Sequence, residues 1–399
     1  MSRRVACQFF RYHWGTAGSQ NASVARKLVG TESVKSGTRS IAEDLAWVDM
    51  LKGMAIIGVF FDNWTAYMEF DPTPAHLYSL AKTFALAVGP FVHVFFVLSG
   101  FGLTLSYLKG RGSWDWRRWA WRRVTKIFVP YIVAVVFSFV LGILGSFLHP
   151  SVDMEFSWLA LFKYLAFIRN FYPAVWGWNR PLWFMPVIVG LYLSFPILIK
   201  ILEKWGAWAL VLVAAVVTYG TITVAVLAGA PRTHQADLFS FWVIQFSLGM
   251  VLARVRDSQP HKMDKLISLE AFFLGVGLIF FSWGLREYLP VGRVYNDLFT
   301  SIGIFLILLN LCWVGRLRVP AIERFLCILS SKSFPMYLVH YPIMAFLIGP
   351  PLRVPTNAFV VIALGAVYIL GVFLLCFLAS SPVEKLISWL YRQYRPGLA

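Results

Sequence analysis

The sequence predicts an all-α protein, a polytopic transmembrane bundle of about ten helices with both termini cytoplasmic. Three observations carry that prediction. Of 399 residues, 59% are hydrophobic and only 14% charged, with a mean hydropathy of +0.68, far beyond the apolar share of an ordinary soluble domain. Apolar runs of about 20 residues, the length that crosses a bilayer's hydrocarbon core, follow one another from residue 47 to residue 379. The basic residues behind the net charge of +17 and the pI near 9.9 sit between these runs. They therefore read as topology signals and not as a nucleic-acid-binding surface.

The runs fall at 47–68, 83–108, 127–148, 182–202, 207–228, 238–254, 268–288, 296–313, 333–350 and 357–379. Each is expected to be a helix, because backbone groups in lipid must pair within their own segment. With the N-terminus inside, 27 of the 36 Lys and Arg fall in cytoplasmic segments and 8 outside, Lys52 lying within the first run. That bias orients the chain. Residues 1–46 hold seven Lys and Arg and no apolar core of signal-peptide length, so they are expected to form a poorly ordered basic cytoplasmic tail. Residues 47–379 make the transmembrane domain, and 380–399 a cytoplasmic C-terminal tail.

One segment resists the scheme. SWLALFKYLAFI, residues 157–168, is apolar but short and interrupted by Lys163, which suits a stretch lying in the interface or re-entering the bilayer. Region 149–181 then becomes the largest extracytoplasmic loop, rich in Trp and Tyr, residues fit for the membrane interface or for stacking on a sugar ring. Cys7, Cys312, Cys327 and Cys376 lie far apart with no CxxC spacing. They indicate neither a disulfide framework nor a metal site.

Polar residues inside apolar runs mark candidate sites. In the first run Lys52 and Asn63 are eleven residues apart, so they share one face about 16 Å apart in height. Asp49 is placed to pair with Lys52, and Asp62 stands next to Asn63. In the second run, HVFFVLSGFGLTLSYL, Ser99 and Gly100 offer a narrow surface for close helix packing, and His93 is either a structural hydrogen bonder or a catalytic group. At the mouth of the third run, WDWRRWAWRRVTKIFVPY places Arg122, Arg123 and Lys126 together, either as positive-inside anchors or as a grip on phosphate. Trp183 opens the fourth run, and His340 lies inside the ninth.

Taken together, these landmarks resemble acyltransferase family 3, the integral membrane O-acyltransferases. VDMLKGMAIIGV is similar to the family's first-helix opening, FFVLSGF to its second-helix signature and RRVTK to its basic motif. PLWFMPVIVGLYLSFP and SKSFPMYLVHYP resemble its later landmarks, in the expected order across residues 45 to 380. The resemblance implies a bacterial inner-membrane enzyme. It would transfer an acyl group, acetyl or another, from acyl-CoA to a hydroxyl of an extracytoplasmic envelope glycan or lipid-linked sugar. No tightly bound cofactor, metal or nucleic acid is expected, and the partners are acyl-CoA, the acceptor sugar and the bilayer. Lys52, Arg122, Arg123 and Lys126 would contact the CoA phosphates. Asp49, Ser99, Gly100 and Trp183 would line or support the site.

The family places a His eleven residues after the first-helix Lys or Arg as its general base. Here that position is Asn63, an amide that orients and hydrogen-bonds but takes up no proton at working pH. Three accounts stand side by side. Asp62 is the base, or His93 or His340 reaches the site from another helix, or the scaffold has lost transfer and handles or moves a lipid or glycan.

Overall fold

The computed structural model describes residues 45–68, 88–110, 114–148, 158–171, 179–229, 238–288, 296–348 and 358–393. Within them the chain forms helices and turns and no strand. The predicted basic tail, apart from its last two residues, lies outside the described residues, as do Cys7 and much of the aromatic loop at 149–181.

In chain order the helices are α1 (Ala46–Met68), α2 (Phe91–Lys109), α3 (Trp116–Arg123), α4 (Val129–Leu148), α5 (Trp158–Leu165), α6 (Phe184–Leu227), α7 (Val243–Ser258), α8 (Leu269–Tyr288), α9 (Asp297–Arg318), α10 (Pro320–Ile348) and α11 (Ala358–Gln393). Among the described residues, five stretches are long and apolar enough to cross a membrane: Phe91–Lys109, Trp116–Gly145, Arg180–Leu227, Leu269–Tyr288 and Asp297–Gly315. This is a helical membrane protein. The eight-residue α5 rises only about 12 Å, far short of a crossing, and turns Trp158, Leu159 and Phe162 outward.

Several helices depart from the predicted runs in instructive ways. Predicted runs 182–202 and 207–228 meet in one 44-residue helix, broken at Gly206, where φ is 84°. That left-handed backbone suits glycine, and it divides α6 into halves each about 30 Å long. α10 begins at Pro320, well before residue 333, and α11 runs to Gln393 through residues assigned to a tail. Hydropathy finds the apolar part of a helix and says nothing of where the helix ends. The two extensions are bolted together: the Lys332 ammonium lies 3.1 Å from Glu384 and 2.6 Å from the Ser381 hydroxyl, over the Phe377 ring.

Helices α1 and α2 run antiparallel, with Trp47 against Phe101 near one end and Gly58 against Phe91 nearer the other. α2 and α7 approach backbone to backbone. A Cβ on Gly100 would meet the Phe246 carbonyl at 1.9 Å, and one on Gly249 would meet the Val97 carbonyl at 1.9 Å. A Cβ on Gly53 would meet the Leu326 carbonyl at 2.3 Å, docking α1 on α10. Side chains then fill two apolar clusters. One gathers Phe60, Phe96, Tyr131, Met185 and Phe246; the other gathers Trp47, Leu51, Phe101, Phe305 and Leu326. α1 contributes to both: Asp49 and Lys52 lie in the stretch that feeds the second cluster, Asp62 and Asn63 in the stretch that feeds the first.

Candidate active site

At one end of α1 the predicted basic group assembles. Lys52 Nζ lies 3.5 Å from Asp49 Oδ1, as the three-residue spacing predicts, and the Ser330 hydroxyl donates to the same oxygen at 3.0 Å. The RRVTKIF stretch leaves α3 through a π turn, Val124–Phe128. Such turns insert a residue and re-aim side chains, often at functional sites. Asp115 caps α3 by accepting from the Arg117 and Arg118 amides. The π turn sets Lys126 where the charges of both Arg123 and Lys52 bear on it, while Arg123 lies over the Tyr192 ring, 5.5 Å from its centre. Lys52, Arg123 and Lys126 thus share one cationic locus, and Arg122 stands exposed on α3. Basic side chains that bear on one another in this way suit anionic oxygens, phosphate foremost.

Toward the other end of α1, Asn63 donates its amide hydrogen to the Val59 carbonyl at 2.8 Å. Its nitrogen serves its own helix. Asp62 is drawn by the Arg180 guanidinium, which opens the 3-10 turn Arg180–Trp183. That turn is gripped by its carbonyls. Arg169 Nη1 donates to the Arg180 oxygen at 2.9 Å, the Tyr337 hydroxyl donates to the Pro181 oxygen, and Asn170 Nδ2 donates to the Trp183 oxygen at 2.8 Å. Asn179, fully buried just before it, donates to the Ser138 hydroxyl at 3.0 Å and the Leu338 carbonyl at 3.3 Å. Held this way, Trp183 packs its ring against Trp242 at 5.8 Å and Phe96 at 6.4 Å.

His340 belongs to this same corner. It is 1% exposed, and its Nδ1 lies 2.7 Å from the Tyr337 carbonyl and 3.2 Å from that of Met336. A carbonyl only accepts, so Nδ1 carries the hydrogen and Nε2 the lone pair. Nε2 is buried and has no hydrogen-bond partner among the described residues. Such an atom is costly unless something meets it, and an oriented imidazole lone pair is the chemistry of a general base. The His340 carbonyl faces the Cys376 thiol, and Phe373, one turn from Cys376 on α11, packs edge-on against Phe60 of α1. His340 is thereby tied to the stretch of α1 one turn below Asn63.

His93 is engaged differently. The Ser301 hydroxyl donates to the Asp297 carbonyl at 2.6 Å, so the 2.8 Å contact between Ser301 and His93 Nδ1 is a donation from the imidazole. His93 fastens α2 to α9 and packs edge-on against Trp242. Gly100 is the close-packing residue of the second-helix motif, and Ser99 beside it is half-buried. The structure therefore gathers Lys52, Arg123 and Lys126 at one end and Asp62, Asn63, Trp183 and His340 toward the other. His93 packs on Trp242, which in turn packs on Trp183.

Arg169, Asn170, Asn179, Arg180 and Tyr337 have no place among the predicted site residues. Their signal in the sequence is faint: two pairs, RN at 169–170 and NR at 179–180, flank an aromatic stretch. Polar pairs in an aromatic loop read equally well as interface decoration.

The acyltransferase-domain family matches residues 45–381. The chain belongs to that family, and it is a membrane acyltransferase that transfers groups other than amino-acyl groups. It is similar to the acyltransferase MdmB of Streptomyces mycarofaciens, at 25% identity over 282 residues covering 64% of this chain and 68% of that protein. No solved structure matches the chain.

Proposed function

We propose that the protein transfers an acyl group, acetyl in the simplest case, from acyl-CoA to a hydroxyl of an envelope glycan or lipid-linked sugar, with His340 as the general base. The observation that carries this reading is the buried Nε2 of His340, left without a donor while Nδ1 is held by two carbonyls. The acceptor hydroxyl donates to Nε2. As its oxygen attacks the thioester carbonyl, its proton passes to Nε2. The tetrahedral adduct then collapses with cleavage of the carbon–sulfur bond, and the departing CoA thiolate takes the proton back.

Lys52, Arg123 and Lys126 suit the CoA phosphates, with Arg122 an outer contact. Asp49 orients Lys52, Asp62 and Asn63 border the acceptor, and Ser99, Gly100 and Trp183 shape the wall between. The ten-span arrangement, with its transmembrane domain at 47–379, both termini cytoplasmic and the donor entering from inside, follows the distribution of basic residues. A bacterial inner membrane is the matching location.

The test is direct. Purified protein given acetyl-CoA and envelope glycan is expected to release free CoA and add an acetyl mass to the glycan, and His340→Gln to do neither. Loss of the mark on gene deletion, read by mass spectrometry of envelope glycans, extends the test to cells. Unchanged glycans in the deletion strain, or full transfer by His340→Gln, overturn the reading.

A further inference from the structure

Arg169 raises a question that catalysis by His340 leaves unanswered. It is 3% exposed, in the short 3-10 turn Arg169–Phe171 that follows α5. The chain reaches it through Phe167, whose φ of 58° is a left-handed backbone that bulky side chains rarely adopt. Phe167 stacks on Tyr131 at 4.2 Å, and the strained turn beneath it carries Arg169 inward.

Once inside, the guanidinium meets one carbonyl, that of Arg180, and lies over the Tyr164 ring at 5.0 Å. Its Nε is buried with no hydrogen-bond partner, and it makes no ion pair with a carboxylate among the described residues. A buried charge is ordinarily paired, because burying it alone is expensive. Two buried acceptors that have no donor among the described residues lie in the same hydrogen-bonded network: Asn179 Oδ1, next to the carbonyl Arg169 grips, and His340 Nε2, two residues from the Leu338 carbonyl that Asn179 engages. One cationic donor and two empty acceptors complement a ligand with anionic oxygens and hydroxyl hydrogens.

We propose that the acceptor sugar carries an anionic group, a phosphate or a carboxylate, and that Arg169 seats it while Asn179 and His340 receive its hydroxyls. This rests on the acyltransferase reading above and adds the substrate's charge. Arg169 is a binding residue here, and its fork of donors fits either anion.

The experiment reads binding without turnover. Full-length protein in nanodiscs is equilibrated with butyl glucoside, butyl glucuronide and butyl glucosyl phosphate, and bound probe is measured by dialysis. At least one anionic probe is expected to bind about tenfold tighter than the neutral one, as a charge-assisted hydrogen bond supplies. Arg169→Gln should erase that advantage, so that anionic and neutral probes bind alike. Arg169→Lys keeps the charge but loses the fork, so it should retain part of the anionic advantage even where the glutamine variant does not fold. Equal affinities for all three probes in the wild type, or an anionic advantage untouched by both substitutions, overturn the proposal. Which anionic probe wins distinguishes a lipid-linked sugar phosphate from an acidic glycan. A His340→Gln variant that still transfers sinks the base assignment and leaves this binding result standing.

Discussion

Tyr337 holds His340 and the Arg180–Trp183 turn at once. Its carbonyl accepts from His340 Nδ1 at 2.7 Å, and its hydroxyl donates to the Pro181 carbonyl. One residue thus fixes both the tautomer of the imidazole and the turn that carries Trp183. His340→Gln is expected to lower kcat by about 10²- to 10⁴-fold, the span of a lost general base. Tyr337→Phe removes only the hydroxyl contact, costing about 1 kcal/mol of stability, and should reduce kcat far less. Single-turnover acetyl transfer on the two purified variants checks the ordering, and equal losses would count against it.

The cationic locus predicts a gradient among four residues treated alike in the sequence. Lys52→Ala, Arg123→Ala and Lys126→Ala remove charges that act on one another, and each is expected to raise KM for acetyl-CoA by about tenfold, the scale of a charge-assisted contact. Arg122→Ala, at an exposed position, should raise it less than about twofold. Initial rates across acetyl-CoA concentrations decide this, and an Arg122 effect as large as the Arg123 effect would break the gradient.

His93 and Asn63 should separate stability from chemistry. His93→Ala removes the imidazole's bond to the Ser301 oxygen and its packing on Trp242 and is expected to destabilise by about 1–3 kcal/mol, while the folded fraction keeps its turnover. Asn63→Ala removes an amide that bonds its own helix and should leave both nearly unchanged. Thermal midpoint and turnover per folded molecule, measured together, test each; a collapse of turnover in fully folded His93→Ala would return that histidine to the chemistry.

The glycine contacts give a purely steric test. Gly100→Ala and Gly249→Ala each push a methyl into a backbone carbonyl at 1.9 Å, where no flexible side chain yields, and overpacking costs at least about 1–3 kcal/mol. Both should reduce the yield of folded protein sharply. Gly277→Ala, with nothing within 4 Å of the added carbon, is the matched control and should express as the parent does.

Much of this architecture is legible in the sequence because a bilayer imposes so simple a code. Apolar length and basic loops suffice to announce a helical membrane protein, and the Asp49–Lys52 pair follows from spacing alone. The Lys52, Arg123 and Lys126 grouping is legible as a motif, but its closure needs the π turn, which no local pattern signals. The His340 corner is harder still. Asn179 and Leu338 are 159 residues apart, and contacts at that separation leave no periodicity to read. The extensions of α10 and α11 were hidden for another reason: they are amphipathic, and Lys332 and Glu384 look like ordinary solvated charges until they meet.

The reciprocal seating of Gly100 and Gly249 also bears on motion. With backbones in contact and no side chains between them, α2 and α7 cannot slide or roll without colliding, so they must move as one rigid body. Whatever breathing admits the substrates and releases the products has to occur at seams built from side chains. The seam joining α10 to α11 through Lys332 and Glu384 is one such place, because an ion pair with its flanking hydroxyl re-forms after parting in a way interlocked backbones do not.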